Sequence, residues 1–266
     1  MWILIGFGLG ILVAYAAFRL HALNVSGAVS AAVIGGLIFG FGGLPWATLL
    51  LIFFISSSLL SRVSGQKKKV LYEKFAKDSR RDYGQVLANG GLGAVLALVY
   101  WFFPENMDLW IAFAGCMAAV NADTWGTELG VLSPVAPRLI TNGRVVPNGT
   151  SGGITLAGYL ASAAGAVLIG FVSAVFMPAY PAGVILFVVV LGGLAGATVD
   201  SLLGATVQGI YYCPKCKKET ESAPEHHCGT ETEHLRGWRW LNNDLVNLVC
   251  SIVGASIAVG GWLLFG

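Results

Sequence analysis

Asp123, Glu128, Asp200 and Asp244 stand inside or at the ends of long apolar runs, and they are the residues of this chain best placed to do chemistry. A charged side chain at bilayer depth costs from about 3 to more than about 10 kcal/mol, so such groups are kept where they act on something. Four carboxylates brought to one buried place repel one another unless cations lie between them. Their sequence neighbours are further oxygen donors: Asn121 and Thr124 near Asp123, Ser201 beside Asp200, Asn243 and Asn247 around Asp244. Carboxylates, carboxamides and hydroxyls are the ligand set of Mg2+, which keeps its remaining positions for water and phosphate oxygens. The candidate Mg2+ ligands are therefore Asn121, Asp123, Glu128, Asp200, Asn243 and Asp244, with phosphate chemistry as the expected use.

Spacing refines this picture. On a regular helix Asn121 and Glu128 share a face with Thr124 between them, whereas Asp123 points elsewhere unless Gly126 or Gly130 breaks the helix. Asp200, Gly204 and Gln208 fall on one stripe. Asn243, Asp244 and Asn247 share a face at the start of the last apolar run, although Asn242 or Asn243 also reads as an N-cap.

Anion-binding candidates accompany the acids. Gly149-Thr150-Ser151-Gly152-Gly153 precedes a long apolar run, as a glycine turn does when its backbone N–H groups and hydroxyls face an anion at a helix start. The plainer alternative is a turn that only ends a loop. Arg80 and Arg81 lead towards Asn89-Gly90-Gly91, pairing bidentate phosphate donors with glycines that open the backbone. Arg81 and Arg138 are expected to act as clamps in catalysis beside the four acids. Lys68, in the run Lys67–Lys69, is a further candidate for nucleotide phosphate, set against a grip on anionic lipid headgroups.

Cys213-Pro-Lys-Cys216 followed by His226-His227-Cys228 offers three thiolates and an imidazole within one hydrophilic stretch. That set makes a closed tetrahedral Zn2+ site of the structural kind. His226 is the better fourth ligand, because His227 adjoins Cys228 and is harder to aim at the same ion.

The elements that must position these groups are membrane helices. Of 266 residues 56% are hydrophobic, only 11% are charged and 36 are glycine, which excludes an ordinary soluble domain. Apolar runs near 1–18, 26–44, 45–61, 86–103, 109–132, 151–177, 183–208 and 245–265 predict an all-α, polytopic integral membrane helical bundle of about eight spans. The pair around Gly42–Pro45 reads either as two spans or as a re-entrant hairpin. If the loops alternate sides, one side receives all 16 Lys and Arg. The positive-inside rule makes that side cytoplasmic and the N-terminus external, in a bacterial-type plasma membrane. Arg19 follows the first apolar run, which favours an anchor over a cleaved signal. The chain reads as one membrane domain, 1–266, carrying a basic cytoplasmic loop with an interfacial helix at 62–85 and the small cytoplasmic zinc-binding loop at 209–243. A net charge of +2 gives no reason to expect nucleic acid.

Taken in order, Arg81-Asp82…Gln85-Val-Leu-Ala-Asn-Gly-Gly, Asn121-Ala-Asp-Thr-Trp-Gly-Thr-Glu-Leu-Gly, Pro137-Arg-Leu-Ile-Thr, Gly149-Thr-Ser-Gly-Gly, Asp200-Ser-Leu-Leu-Gly-Ala-Thr and Asn242-Asn-Asp-Leu-Val-Asn resemble the DUF92 membrane family over almost the whole chain. That family includes the plant phytyl-phosphate kinase of vitamin E synthesis. The resemblance implies transfer of a phosphoryl group from a nucleoside triphosphate, CTP above all, to an isoprenoid monophosphate such as phytyl phosphate. The cofactors would be Mg2+ and a structural Zn2+. The partners would be the two substrates and membrane lipids, with a homodimer left open. A CTP-dependent lipid cytidylyltransferase and a lipid-phosphate or ion-coupled transporter are the rival readings. Buried acids at the midplane would favour transport, and acids near the cytoplasmic ends an enzyme.

Overall fold

The computed structural model describes residues 2–68 and 80–266. The interfacial stretch expected at Val70, Leu71, Phe75 and Ala76 lies outside them, as does the side chain of Lys68. Seven helices form the frame: α1 (Trp2–Arg19), α2 (Val25–Lys68), α3 (Tyr83–Phe102), α4 (Met107–Gly130), α5 (Leu156–Val175), α6 (Ala182–Thr206) and α7 (Asn243–Phe265). Among the described residues, five of them (α2, α3, α5, α6 and α7) are long and apolar enough to cross a membrane.

A straight helix of the length of α2 would run for about 65 Å, twice the hydrocarbon thickness. It is not straight. Gly43 has φ 77° and ψ −164°, a backbone that glycine adopts without a Cβ penalty. Pro45 follows in the opening turn of the second half, where a missing N–H is harmless. The two halves return to the same end of the molecule. The Arg62 guanidinium donates to the Leu20 carbonyl. Asn24 N donates to the Arg81 carbonyl at 3.1 Å, while the Arg81 side chain reaches Ser57 Oγ at 2.8 Å. α2 is thus a helical hairpin with its reversal at Gly43.

α4 occupies the centre. Every residue from Trp110 to Ala122 is buried, and the helix packs against α2, α3, α5, α6 and α7. A helix apolar all round belongs in such a place. Close approach to α6 and α7 depends on small residues. A Cβ at Gly254 would collide with the Ala119 methyl and the Gly115 carbonyl, and Gly192 and Gly196 face α7 just as tightly. At one end of the bundle Trp46 stacks on Phe113 at 4.3 Å and meets Tyr100 at 5.0 Å and Trp110 at 5.9 Å. The loops rich in Lys and Arg gather at the other end.

The all-α expectation needs one amendment, because the loops at that second end contain β structure. β1 (Arg138–Leu139) pairs antiparallel with β2 (Gly153–Ile154), and β3 (Ile210–Cys213), β4 (Lys218–Thr220) and β5 (Glu233–Arg236) form a sheet in the order β4-β3-β5. Tyr211 and Tyr212 suit a strand, and a hairpin is what brings the two halves of the Cys/His motif together.

Gly254→Val should therefore wedge α7 from α4 and α6 and cost about 3 kcal/mol or more. Thermal unfolding in detergent reads this, with the exposed Ile257→Val as control. Equal melting of the two variants would refute the close packing.

Candidate functional site: an acidic cavity and a Cys/His cluster

α4 is an unbroken helix through Gly130, so the break expected at Gly126 or Gly130 does not occur. It is also not needed. Asp123, Thr124, Thr127 and Glu128 all line one cavity of about 300 Å3, which wraps around the end of α4. α6 contributes Asp200, Arg81 comes from just before α3, α3 itself contributes Gln85 and Asn89, and α7 contributes Asn243 and Asn247. The segment Asn148–Thr155 closes another wall.

The acids play different parts. The carboxyls of Asp123 and Asp200 come within hydrogen-bonding reach of each other, and the charge of Glu221 acts on both. Oδ2 of Asp200 is buried with no hydrogen-bond partner among the described residues. Such an orphan acceptor is costly unless a ligand or cation meets it. Glu128, by contrast, is held by protein donors: Ser61 Oγ at 2.7 Å and Ser64 Oγ. The carboxyls of Asp123 and Asp200 and the carboxamide of Asn243 line the same cavity and are oxygen donors of the type that hard cations take.

Arg81 is a cation in the wall of the same cavity. Its guanidinium donates to Ser57 Oγ at 2.8 Å and Ser58 Oγ at 3.4 Å and lies 5.5 Å from the ring centres of both Phe53 and Phe54. Burial pushes its pKa down to about 10, opposed by the charge of Glu128. It therefore stays protonated at neutral pH.

The glycine turn is present in the cavity wall but not at a helix start. Gly149 and Gly152 have φ of 76° and 79°, and β2 separates the turn from α5, whose N-cap is Thr155. Both hydroxyls are engaged within the protein, Thr150 Oγ1 with the Pro147 carbonyl at 2.7 Å and Ser151 Oγ with Gln208 Oε1 at 2.9 Å. The turn therefore contributes shape and main chain to the wall, and its hydroxyl protons go to the loop itself and to Gln208 at the end of α6.

Of the residues singled out in the sequence, Asp123, Glu128, Asp200, Arg81, Asn89, Asn243 and Gly149–Gly153 come together. Thr124, Ser201 and Asn247 line the same cavity, whereas Asn121, Arg138, Gly90, Arg80 and Asp244 do not. Asn121 is buried and structural, donating to the Gly165 carbonyl at 2.8 Å and accepting from Ser56 Oγ at 3.2 Å. Arg138 reaches the Gly143 carbonyl at 2.9 Å within its own loop. Gly90 lies in the middle of α3, with its backbone in the helix and its face against Ile34. Arg80 is exposed, and Asp244 is on the first turn of α7 but does not line the cavity. Asn242 is the N-cap of α7, accepting from Leu245 N at 3.0 Å.

Two groups of site residues were not anticipated. Ser57, Ser61 and Ser64 lie at helical spacing in an apolar run, and that row was a readable sign of a polar helix face. Glu221 has no such signal, because only the folding of the Cys/His loop carries it into the cavity.

Above the cavity, Cys213, Cys216, His226 and Cys228 bring their ligand atoms within 4.8 Å of one another and could hold a metal ion. Cys213 Sγ and Cys228 Sγ are 3.6 Å apart, and His226 Nδ1 is 3.6 Å from Cys216 Sγ and 3.3 Å from Cys228 Sγ. A tetrahedral ion with bonds of about 2.3 Å to sulfur needs S···S edges of about 3.8 Å. Hydrogen bonds with Thr230 and His226 push the Cys228 thiol down to about 5, whereas Cys216, next to that first thiolate, is pushed up to about 11.

The fold and the site define a helical membrane protein with an acidic cavity at one end of its bundle. The chain belongs to the family described as integral membrane protein DUF92, whose model matches residues 8–255. It is 30% identical over 260 residues to Protein PGR of Arabidopsis thaliana, covering 90% of this chain and 88% of that one. An uncharacterized membrane protein of Methanocaldococcus jannaschii is 35% identical over 243 residues, covering 90% and 85%. Protein VTE6, chloroplastic, of Arabidopsis thaliana is 23% identical, covering 89% of this chain and 64% of its own length. No solved structure is significantly similar.

Loading with Co2+ should give the intense near-ultraviolet thiolate-to-metal absorption of a three-sulfur tetrahedral site, at one ion per chain. Cys213→Ser should weaken or abolish it. An absorption spectrum unchanged by that substitution would show that the four residues do not share an ion.

Proposed function

We propose that this protein transfers a phosphoryl group from a nucleoside triphosphate, with CTP as the favoured donor, to a membrane isoprenoid monophosphate such as phytyl phosphate. The observation that carries this reading is the gathering of Asp123, Asp200, Glu128 and Arg81 with the Gly149–Gly153 turn around one cavity. The resemblance to a family that includes a phytyl-phosphate kinase, together with the distant similarity to Protein VTE6, supports the substrate class.

Phosphoryl transfer asks a protein for positioning and charge neutralisation more than for covalent chemistry. An oxygen of the acceptor monophosphate bonds to the γ-phosphorus as the bond to the β,γ-bridging oxygen breaks, and the nucleoside diphosphate leaves. The acceptor is already an anion, so no general base is required, and no histidine is among the described residues that line the cavity. Mg2+ held by Asp123 and Asp200 would supply the charge that offsets the phosphate oxygens. Arg81 is already oriented by two serines and two aromatic rings, so it can grip a phosphate with little reorganisation. Asn89 and Asn243 add carboxamides at the rim.

The surroundings suit a lipid acceptor. Thr155 and Tyr159 line the cavity, while the neighbouring Leu156 and Leu160 are 77% and 63% exposed on the outer face of α5. A hydrocarbon tail lying along that face would leave its phosphate at the cavity. We read the two halves of α2 as separate crossings, which makes eight in all, with the basic loops and the cavity facing the cytoplasm. The Cys/His cluster is read as a structural zinc site.

Purified protein with Mg2+, labelled CTP and phytyl phosphate should release CDP and form the lipid diphosphate. Release of pyrophosphate with a CDP-lipid would replace this reading with a cytidylyltransferase. Asp123→Asn should reduce turnover at least about a thousandfold while the melting temperature holds. Wild-type turnover in that variant would remove the metal role.

A further inference from the structure

The Cys/His cluster lies outside the cavity, yet one residue of its loop lines it. Glu221 sits between Cys216 and His226 in sequence, directly after β4. The β3–β4 register pairs Tyr211 with Thr220, which returns the chain to Gln208 at the end of α6. Gln208 is 2% exposed, and its Nε2 donates to Glu221 Oε1 at 2.9 Å. Its Oε1 accepts from Ser151 Oγ at 2.9 Å, so the glycine turn, α6 and the Cys/His loop are tied together at this point. Thr220 and Ser222, on either side, are buried. The Ser222 carbonyl accepts from Thr232 Oγ1 at 3.1 Å. The backbone around Glu221 is therefore fixed from both directions.

This placement works against simple electrostatics. Glu221 adds negative charge to the Asp123 and Asp200 pair, and a free loop would swing such a carboxylate out into water. Two observations account for its position together. The orphaned Oδ2 of Asp200 points to a cation in the cavity. The ligand atoms of Cys213, Cys216, His226 and Cys228, within 4.8 Å of one another, pin the loop on both sides of Glu221.

We propose that Glu221 supplies the third carboxylate of the divalent-cation centre formed with Asp123 and Asp200, and that the metal gathered by Cys213, Cys216, His226 and Cys228 holds it there. This rests on reading the cavity as a divalent-cation centre. The soft-metal site is then a positioning device, and its occupancy sets the affinity of the hard-metal site. Asp244, the fourth acid expected from sequence, is replaced in this role by a residue from the loop.

The test uses the full-length protein in detergent, with Mn2+ as a paramagnetic probe of the oxygen-ligand site and elemental analysis of the Cys/His metal. Glu221→Gln should keep that metal and its melting temperature but bind Mn2+ about tenfold or more weakly. Cys216→Ser should lose the Cys/His metal and weaken Mn2+ binding by a similar factor. In the double variant the two losses should not multiply. Mn2+ affinity within twofold of wild type in Glu221→Gln would overturn the proposal, and so would losses that multiply. If Glu221→Gln sheds the Cys/His metal, Glu221→Asp takes its place, with an intermediate loss of Mn2+ affinity expected and wild-type affinity overturning it. Asp123→Asn separates the two levels. Unchanged Mn2+ binding there removes the cation centre and with it the proposed function, whereas weakening in Asp123→Asn but not in Glu221→Gln removes only Glu221.

Discussion

Two carboxyl groups from different helices face each other at one end of a largely apolar bundle, and the rest of the molecule is arranged to hold them there. Asp123 and Asp200 meet only because α4 and α6 approach closely, and that approach depends on Gly193 and Gly196 against Ala118 and Ala119. Larger residues at these contacts would part the helices and let the carboxyls relax into separate solvation. The packed middle of the bundle thus holds two acids together at its end, an arrangement that costs free energy while both are charged.

The remaining charges divide between those satisfied by protein and those left for a ligand. Glu128 takes the hydroxyls of Ser61 and Ser64, and Arg81 takes Ser57, Ser58 and two aromatic rings, so both are fixed in advance. Asp200 keeps an oxygen that nothing in the described protein meets. One cavity thus combines a cation and a carboxylate fixed by the protein with an acid that is not fully satisfied. The same division accounts for four of the five serines near the end of the second half of α2, a hydrophobic hairpin arm: Ser57, Ser58, Ser61 and Ser64.

The β-structured loops serve the bundle rather than forming a separate unit. Ser151, Gln208 and Glu221 make one chain of hydrogen bonds from the 138–154 loop through the end of α6 to the Cys/His loop. Arg236 extends the link by donating to the Gly204 carbonyl at 3.1 Å. A bundle end that would otherwise be open to water is thereby covered by ordered polypeptide.

Composition and periodicity determined the membrane class, the helical frame, the turn at Gly42–Pro45 and some of the cavity residues, Asp123, Glu128, Asp200 and Arg81 among them. Each follows from a local rule: apolar length, a glycine with a proline after it, or an acid in an apolar run. The cluster of Cys213, Cys216, His226 and Cys228 was equally legible, since short spacing restricts which thiols and imidazole can meet. Other features required distances between segments far apart in the chain. Helical phase alone sets Asp123 and Glu128 on different faces, and only a cavity curving around the end of α4 unites them. Asn121 and Asp244 share the chemistry of their neighbours, yet the packing of α5 and the first turn of α7 leave them outside the cavity wall. Glu221 carries no local sign of its role, because its place depends on a β-hairpin folding back over a helix end. Residue type and phase are written along the chain, whereas which oxygens share one small volume is settled only when the helices and loops pack.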